Sequence, residues 1–166
     1  MRPARVLQLL WSFEIGGAEN FVLNLVRQLD RRRYQPVVCA FAEGGPLRAR
    51  MEALDAPVYG IRASGGWKTL HRAMRVVREV KPDLIHAHSL APGFYGAVVG
   101  ALARVPVITT RHGRPEESAE RSLLRALSNR WTDRFIAVSE EARRLLIDVA
   151  RIPEDRIFTV TNGMDT

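Results

Sequence analysis

The sequence predicts a doubly wound α/β domain of Rossmann-like type, a mostly parallel sheet with helices on both faces. Three observations carry this. Short β-rich runs alternate along the whole chain with apolar residues at helical spacing, the pattern of successive βαβ units. The runs are nearly continuous in apolar character, as in VLQLL, PVVCAF and FIAVS, which is expected of strands buried on both faces. The chain has 166 residues and a single cysteine, Cys39, so one core must form without a disulfide.

In order along the chain, the first strand is expected at residues 5–10. Ala18, Phe21, Val22, Leu25 and Leu29 then recur at helical spacing. Arg31, Arg32 and Arg33 follow this helix, where cations complement its negative end. A strand at 35–41, a helix at 46–54 and a strand at 57–60 come next. Leu70, Ala73, Met74, Val77 and Val80 mark the apolar stripe of a basic helix over 68–81. The second half repeats the alternation, with strands at 83–86, 106–110, 134–138 and 156–160 and helices at 91–103, 117–130 and 140–150. The domain is expected to cover 1–161, and 162–166 to open a connection to further chain.

The formal net charge is +7 and the pI about 10.6. The arginines are spread along the chain, and neither zinc-finger spacing nor an aromatic RNA-binding motif accompanies them, so no nucleic-acid partner is expected. An anionic small molecule or membrane surface fits the charge better. No uncharged apolar run approaches the ~20 residues that span a bilayer. Arg5 and Gln8 interrupt the first apolar segment, unlike a signal peptide. A cytoplasmic protein is expected, with peripheral contact at the inner membrane face as an extension.

In such folds ligands bind beyond the carboxyl ends of the strands, where strand order reverses. The first such loop carries Gly16-Gly17 before a helix. Glycine lets backbone approach a phosphate at a helix amino terminus, but a bare Gly-Gly equally reads as a structural turn. His86 and His88 alternate on a strand and share a face. They can ligate a metal or sit hydrogen-bonded at the sheet end; no carboxylate or cysteine close in sequence completes a metal site. Ser89 can line the crevice or cap the next helix, and Arg111-His112-Gly113 can donate to sugar hydroxyls or to developing negative charge. Ser139 most simply caps the helix at 140–150, and Asn162-Gly163 is a turn signal.

Taken together, GGAE, KPDLIHAHS, VPVITTRHG, FIAVSE and IPEDRIFTVTNGMD, in this order, resemble the family 4 glycosyltransferases of the GT-B fold. The resemblance covers the amino-terminal half of such an enzyme. It implies an acceptor-side domain of a retaining enzyme that transfers a sugar from a nucleotide-sugar donor to a glycan, lipid or small-molecule acceptor. It further implies that Gly16 and Gly17 approach the donor diphosphate, that His112 is the catalytic residue, and that His88, Ser89, Arg111, Gly113, Ser139 and Asn162 line the cleft. Arg62, Trp67 and Lys68 are implied to contact acceptor or an anionic membrane. No metal or cofactor is expected; the nucleotide-sugar is a co-substrate. The paired glutamates of such enzymes belong to a carboxyl-terminal domain that this sequence lacks, so the isolated half is expected to be inactive. Two rivals stand beside this reading: a stand-alone nucleotide- or sugar-binding module, and half of a GT-B sugar-nucleotide epimerase.

Overall fold

A computed structural model describes residues 2–111, 126 and 128–161. Seven parallel strands form one sheet in the order β3-β2-β1-β4-β5-β6-β7. The strands are β1 (Ala4–Leu10), β2 (Tyr34–Ala40), β3 (Val58–Gly60), β4 (Leu84–His88), β5 (Val107–Arg111), β6 (Arg134–Ala137) and β7 (Ile157–Thr159). Helices α1 (Gly17–Gln28), α2 (Leu47–Glu52), α3 (Gly66–Val80), α4 (Leu90–Ala103) and α5 (Glu140–Asp148) connect them. Strand order reverses between β1 and β4: the chain winds from β1 to β3, crosses back, and winds the other way to β7. The predicted doubly wound sheet is therefore observed.

Strand alternation sends the sheet's apolar residues to cores on its two faces. Leu7 and Leu9 of β1 pack with Val76, Val77 and Val80 of α3 and Val99 of α4. Leu10 of the same strand packs with Val22, Leu23 and Val26 of α1 and with Leu47 and Met51 of α2. Register carries the first of these rows across the sheet through Leu9, Ala87, Thr109, Phe135 and Ile157, and α5 covers its far end through Leu146. Cys39 is wholly buried, and burial pushes its thiol up from 9.0 to about 12. It serves as a neutral small core side chain.

Helix α4 lies unusually close to the sheet because three of its buried positions lack a side chain. A Cβ on Gly96 would sit 3.1 Å from Leu9 and 3.3 Å from Ala87; one on Gly100 would sit 2.2 Å from Val107 Cγ2 and 2.9 Å from the Val105 carbonyl. Gly93 meets Thr109 at 3.2 Å in the same way. This approach sets the depth at which α4 begins beneath the carboxyl ends of β4 and β5.

Where boundaries differ from expectation, side-chain bonding is the reason. β4 continues two residues past 86, because His86 and His88 find buried partners and the Ser89 N–H extends the ladder to the Thr110 carbonyl at 3.0 Å. α3 starts earlier than 68, since Gly65 and Gly66, at φ 79° and 49°, turn the chain into it. The helix expected at 46–54 ends at Glu52, followed by a turn with Asp55 at φ 54°. The expectation for the helix at 117–130 falls mostly outside the described residues; within it, 126 and 128–130 are described and helical. Residues 162–166, the expected connection, also lie outside them.

Gly100→Ala is expected to destabilise the protein by about 1–3 kcal/mol through overpacking, whereas Gly44→Ala, which meets nothing within 4 Å, is expected to change stability by less than about 0.5 kcal/mol. Urea denaturation of the two variants checks both values.

Candidate functional site

The candidate site is the surface at the carboxyl ends of β1, β4 and β5. β1 leads through Trp11 into a loop in which the Glu14 N–H donates to Ser12 Oγ at 3.2 Å. Gly16 then occupies the cap position of α1 with extended backbone, and no side chain caps this helix. The Asn20 N–H and its side-chain amide both donate to the Gly16 carbonyl at 3.0 Å. Neither Gly16 nor Gly17 has a positive φ. A Cβ on Gly17 would meet nothing within 4 Å, and one on Gly16 would meet only the flexible Glu19 carboxylate. Neither backbone conformation nor packing among the described residues requires glycine at these positions.

Beneath this surface lies a layer of buried polar side chains. His88 Nε2 and Gln8 Oε1 are 2.9 Å apart; an amide oxygen only accepts, so this ring nitrogen carries the proton. His86 Nε2 is 2.7 Å from Thr110 Oγ1. The two imidazole centroids are 4.1 Å apart, and Phe21 of α1 packs 5.8 Å from His88. Polar groups of this kind are tolerated in a core only when bonded. His88 is thus buried beneath the surface, with its ring bonded to Gln8.

The other predicted residues divide. Ser139 caps α5, its Oγ accepting from the Ala142 N–H at 3.1 Å. Ser89 occupies the cap position of α4 but its side chain makes no capping bond, and its backbone is held at φ 74°, ψ −178°, a region glycine alone enters readily. Of the two roles open to it, capping is not realised. Arg111 donates to Asn129 Oδ1 at 3.2 Å and stacks 5.9 Å over Phe135, so its guanidinium turns toward the α4 side of the sheet. Arg62 and Trp67 face different grooves, and Lys68 follows Trp67 in the first turn of α3. Arg62 pairs with Glu43 at 3.4 Å beside Tyr59 and Arg72, while Trp67, 72% exposed, lines a different groove between α3 and α4. His112, Gly113 and Asn162 lie outside the described residues.

Sequence reasoning missed Gln8 as a site residue, and missed Trp11 and Ile15, which stand 52% and 70% exposed beside the glycine turn. The signals were present: a glutamine inside a strand buried on both faces must find a buried partner, and large apolar residues on a ligand-side loop cover something. Among the described residues no group of three His, Cys, Asp or Glu side chains is placed to hold a metal ion, and no helix is long and apolar enough to cross a membrane.

A parallel sheet of this order, with an uncapped glycine turn at its point of reversal, is a Rossmann-like domain. The chain belongs to Glycosyltransferase Family 4, whose profile matches residues 15–166. It is 29% identical over 171 aligned positions to the Escherichia coli UDP-Gal:alpha-D-GlcNAc-diphosphoundecaprenol alpha-1,3-galactosyltransferase, covering 94% of this chain and 40% of that protein. Anabaena HepE, solved in complex with UDP-glucose, superposes at TM-score 0.80 with 23% identity over 97% of this chain and 44% of that one. The fold extends to a Rickettsia bellii UDP-N-acetylglucosamine 2-epimerase at TM-score 0.68 and 16% identity, over 97% of this chain and 45% of that one. Both structures bear on the fold alone. The chain spans less than half the length of these relatives.

Proposed function

We propose that this chain forms the acceptor-side wall of a retaining glycosyltransferase that takes a sugar from a nucleotide-sugar and passes it to a glycan, lipid or small-molecule acceptor. The observation that carries the reading is the pair Gly16-Gly17. Glycine there answers to no positive φ and, among the described residues, to no neighbour but the flexible Glu19 carboxylate beside Gly16, which leaves room for a ligand to approach the backbone. The uncapped start of α1 supplies N–H donors and the positive end of a helix dipole to a diphosphate. Ser89 and the buried His88 support the neighbouring wall, and His112 is assigned to the transferred sugar. Developing charge on the departing diphosphate would then be met by oriented backbone donors, the arrangement that stabilises a transition state without reorganisation. A metal is not required by this scheme, and an isolated wall without an opposing domain is expected to be inactive.

The Escherichia coli relative is named for UDP-Gal and a diphosphoundecaprenol-linked sugar, and by analogy we favour a UDP-hexose donor and a lipid-linked acceptor. A groove of about 770 Å³ between α3 and α4, lined by Trp67, Leu70, Met74, Leu102, Arg78 and Lys81, supports peripheral contact with an anionic membrane from the cytoplasmic side. Its apolar floor and cationic edge match an interfacial surface.

Two experiments on the full-length protein test these readings. In a UDP-sugar transfer assay, Gly17→Ala is expected to leave stability unchanged or raised by about 0.5 kcal/mol while raising donor KM at least about tenfold, and His112→Ala to lower kcat with donor KM little changed. Turnover unaffected by either substitution removes the assignment, and a product formed from donor without acceptor points instead to an epimerase. Liposome co-sedimentation is expected to rise with anionic lipid content and to fall for Trp67→Ser; independence of both ends the membrane reading.

A further inference from the structure

At the opposite end of the sheet from the cleft, the chain gathers four arginines around one concavity. It has a volume of about 570 Å³ and is lined by Arg104, Arg130, Trp131, Asp133, Arg134 and Arg156. These residues come from three places: the end of α4, the segment before and into β6, and the turn before β7. β5 separates them from the cleft by ~13 Å, four steps of ~3.3 Å along its length.

The concavity has a rigid floor and a free rim. Arg156 donates through Nη2 to the carbonyls of Asn129, at 2.9 Å, and Thr132, and lies 5.5 Å over the Phe135 ring. Arg134 leans on the Asp133 carbonyl at 2.9 Å. The guanidinium groups of Arg104 and Arg130 make no hydrogen bond or ion pair among the described residues. The lining carboxylate, Asp133, is occupied elsewhere: its Oδ2 accepts the Val107 N–H at 2.7 Å. Arg104 ends α4 in a left-handed conformation at φ 57°, the position where glycine is the usual choice. The sequence therefore places a guanidinium where backbone preference asks for no side chain at all.

We propose that this arginine pocket binds a phosphate-bearing anion at a site distinct from the cleft. Like charges drawn together in a concavity raise the local positive potential, and guanidinium forks match phosphate oxygens two at a time. Trp131, 40% exposed, adds an aromatic face for any ring the phosphate carries. The charges converge on one hollow instead of forming a track, which suits a compact anion over a nucleic-acid backbone. The phosphate comes either from a soluble phosphorylated ligand or from a lipid headgroup.

Isothermal titration of the chain with pyrophosphate at fixed ionic strength tests the site. Saturable binding is expected, weakened at least about tenfold in Arg104→Gln/Arg130→Gln. Arg32→Gln/Arg33→Gln, which removes equal charge from an exposed segment after α1, is expected to leave it unchanged. A parallel arm uses phosphatidylglycerol vesicles: loss of co-sedimentation in the first double variant alone identifies a lipid headgroup as the source. Equal weakening in both variants, or no response to either probe, overturns the proposal. Gly17→Ala is expected to have no effect in either arm, so failure here leaves the cleft reading untouched.

Discussion

One buried hydrogen bond, between Gln8 of β1 and His88 of β4, fixes the junction on which the rest of the structure depends. These two strands are the neighbours between which the direction of winding reverses. Both side chains are almost wholly buried, so breaking this bond removes a buried polar contact, at a cost of about 1–3 kcal/mol. A one-residue slip of β1 would turn Gln8 toward the α3 core and Leu9 toward His88, exchanging a bonded pair for two buried mismatches. The pair therefore specifies register at the place where a doubly wound sheet opens its crevice.

What surrounds the junction follows from that register. His86 stacks against His88 and bonds Thr110 of β5, which carries the polar layer one strand further. α4 begins just after His88 but packs on the opposite face of the sheet, drawn close to Leu9, Ala87 and Thr109 by Gly93, Gly96 and Gly100, with Ser89 in its strained conformation at its start. On the other side of β1, the uncapped Gly16-Gly17 turn opens at the same level. A buried layer of hydrogen-bonded polar side chains thus underlies the level at which the glycine turn opens.

Most of the fold was legible because its signals are local. Continuous apolar strands, helical stripes and the spacing between them dictated the sheet and its connections, and Ser139 announced its capping role by standing immediately before Glu140. The site was less legible because its decisive relations are distant in sequence. Gln8 and His88 meet across 80 positions, and nothing near Gln8 reveals that partner. Arg111 was expected to line the cleft; its bond to Asn129, 18 positions further on, could not be read from its neighbours. Arg62 and Trp67 are five positions apart, yet the positive-φ glycines at Gly65 and Gly66 redirect the chain and send them to different grooves. The arginine pocket escaped notice for the same reason, since α4, β6 and the turn before β7 contribute to it separately.

Amide NMR of the chain titrated with UDP-hexoses tests the central claim most directly, because weak binding by a single wall still moves resonances. The account predicts that the largest shifts fall on the backbone amides of Gly16 to Asn20, with smaller ones at Ser89. Shifts confined to other surfaces, or none with any UDP-sugar at millimolar concentration, would contradict it.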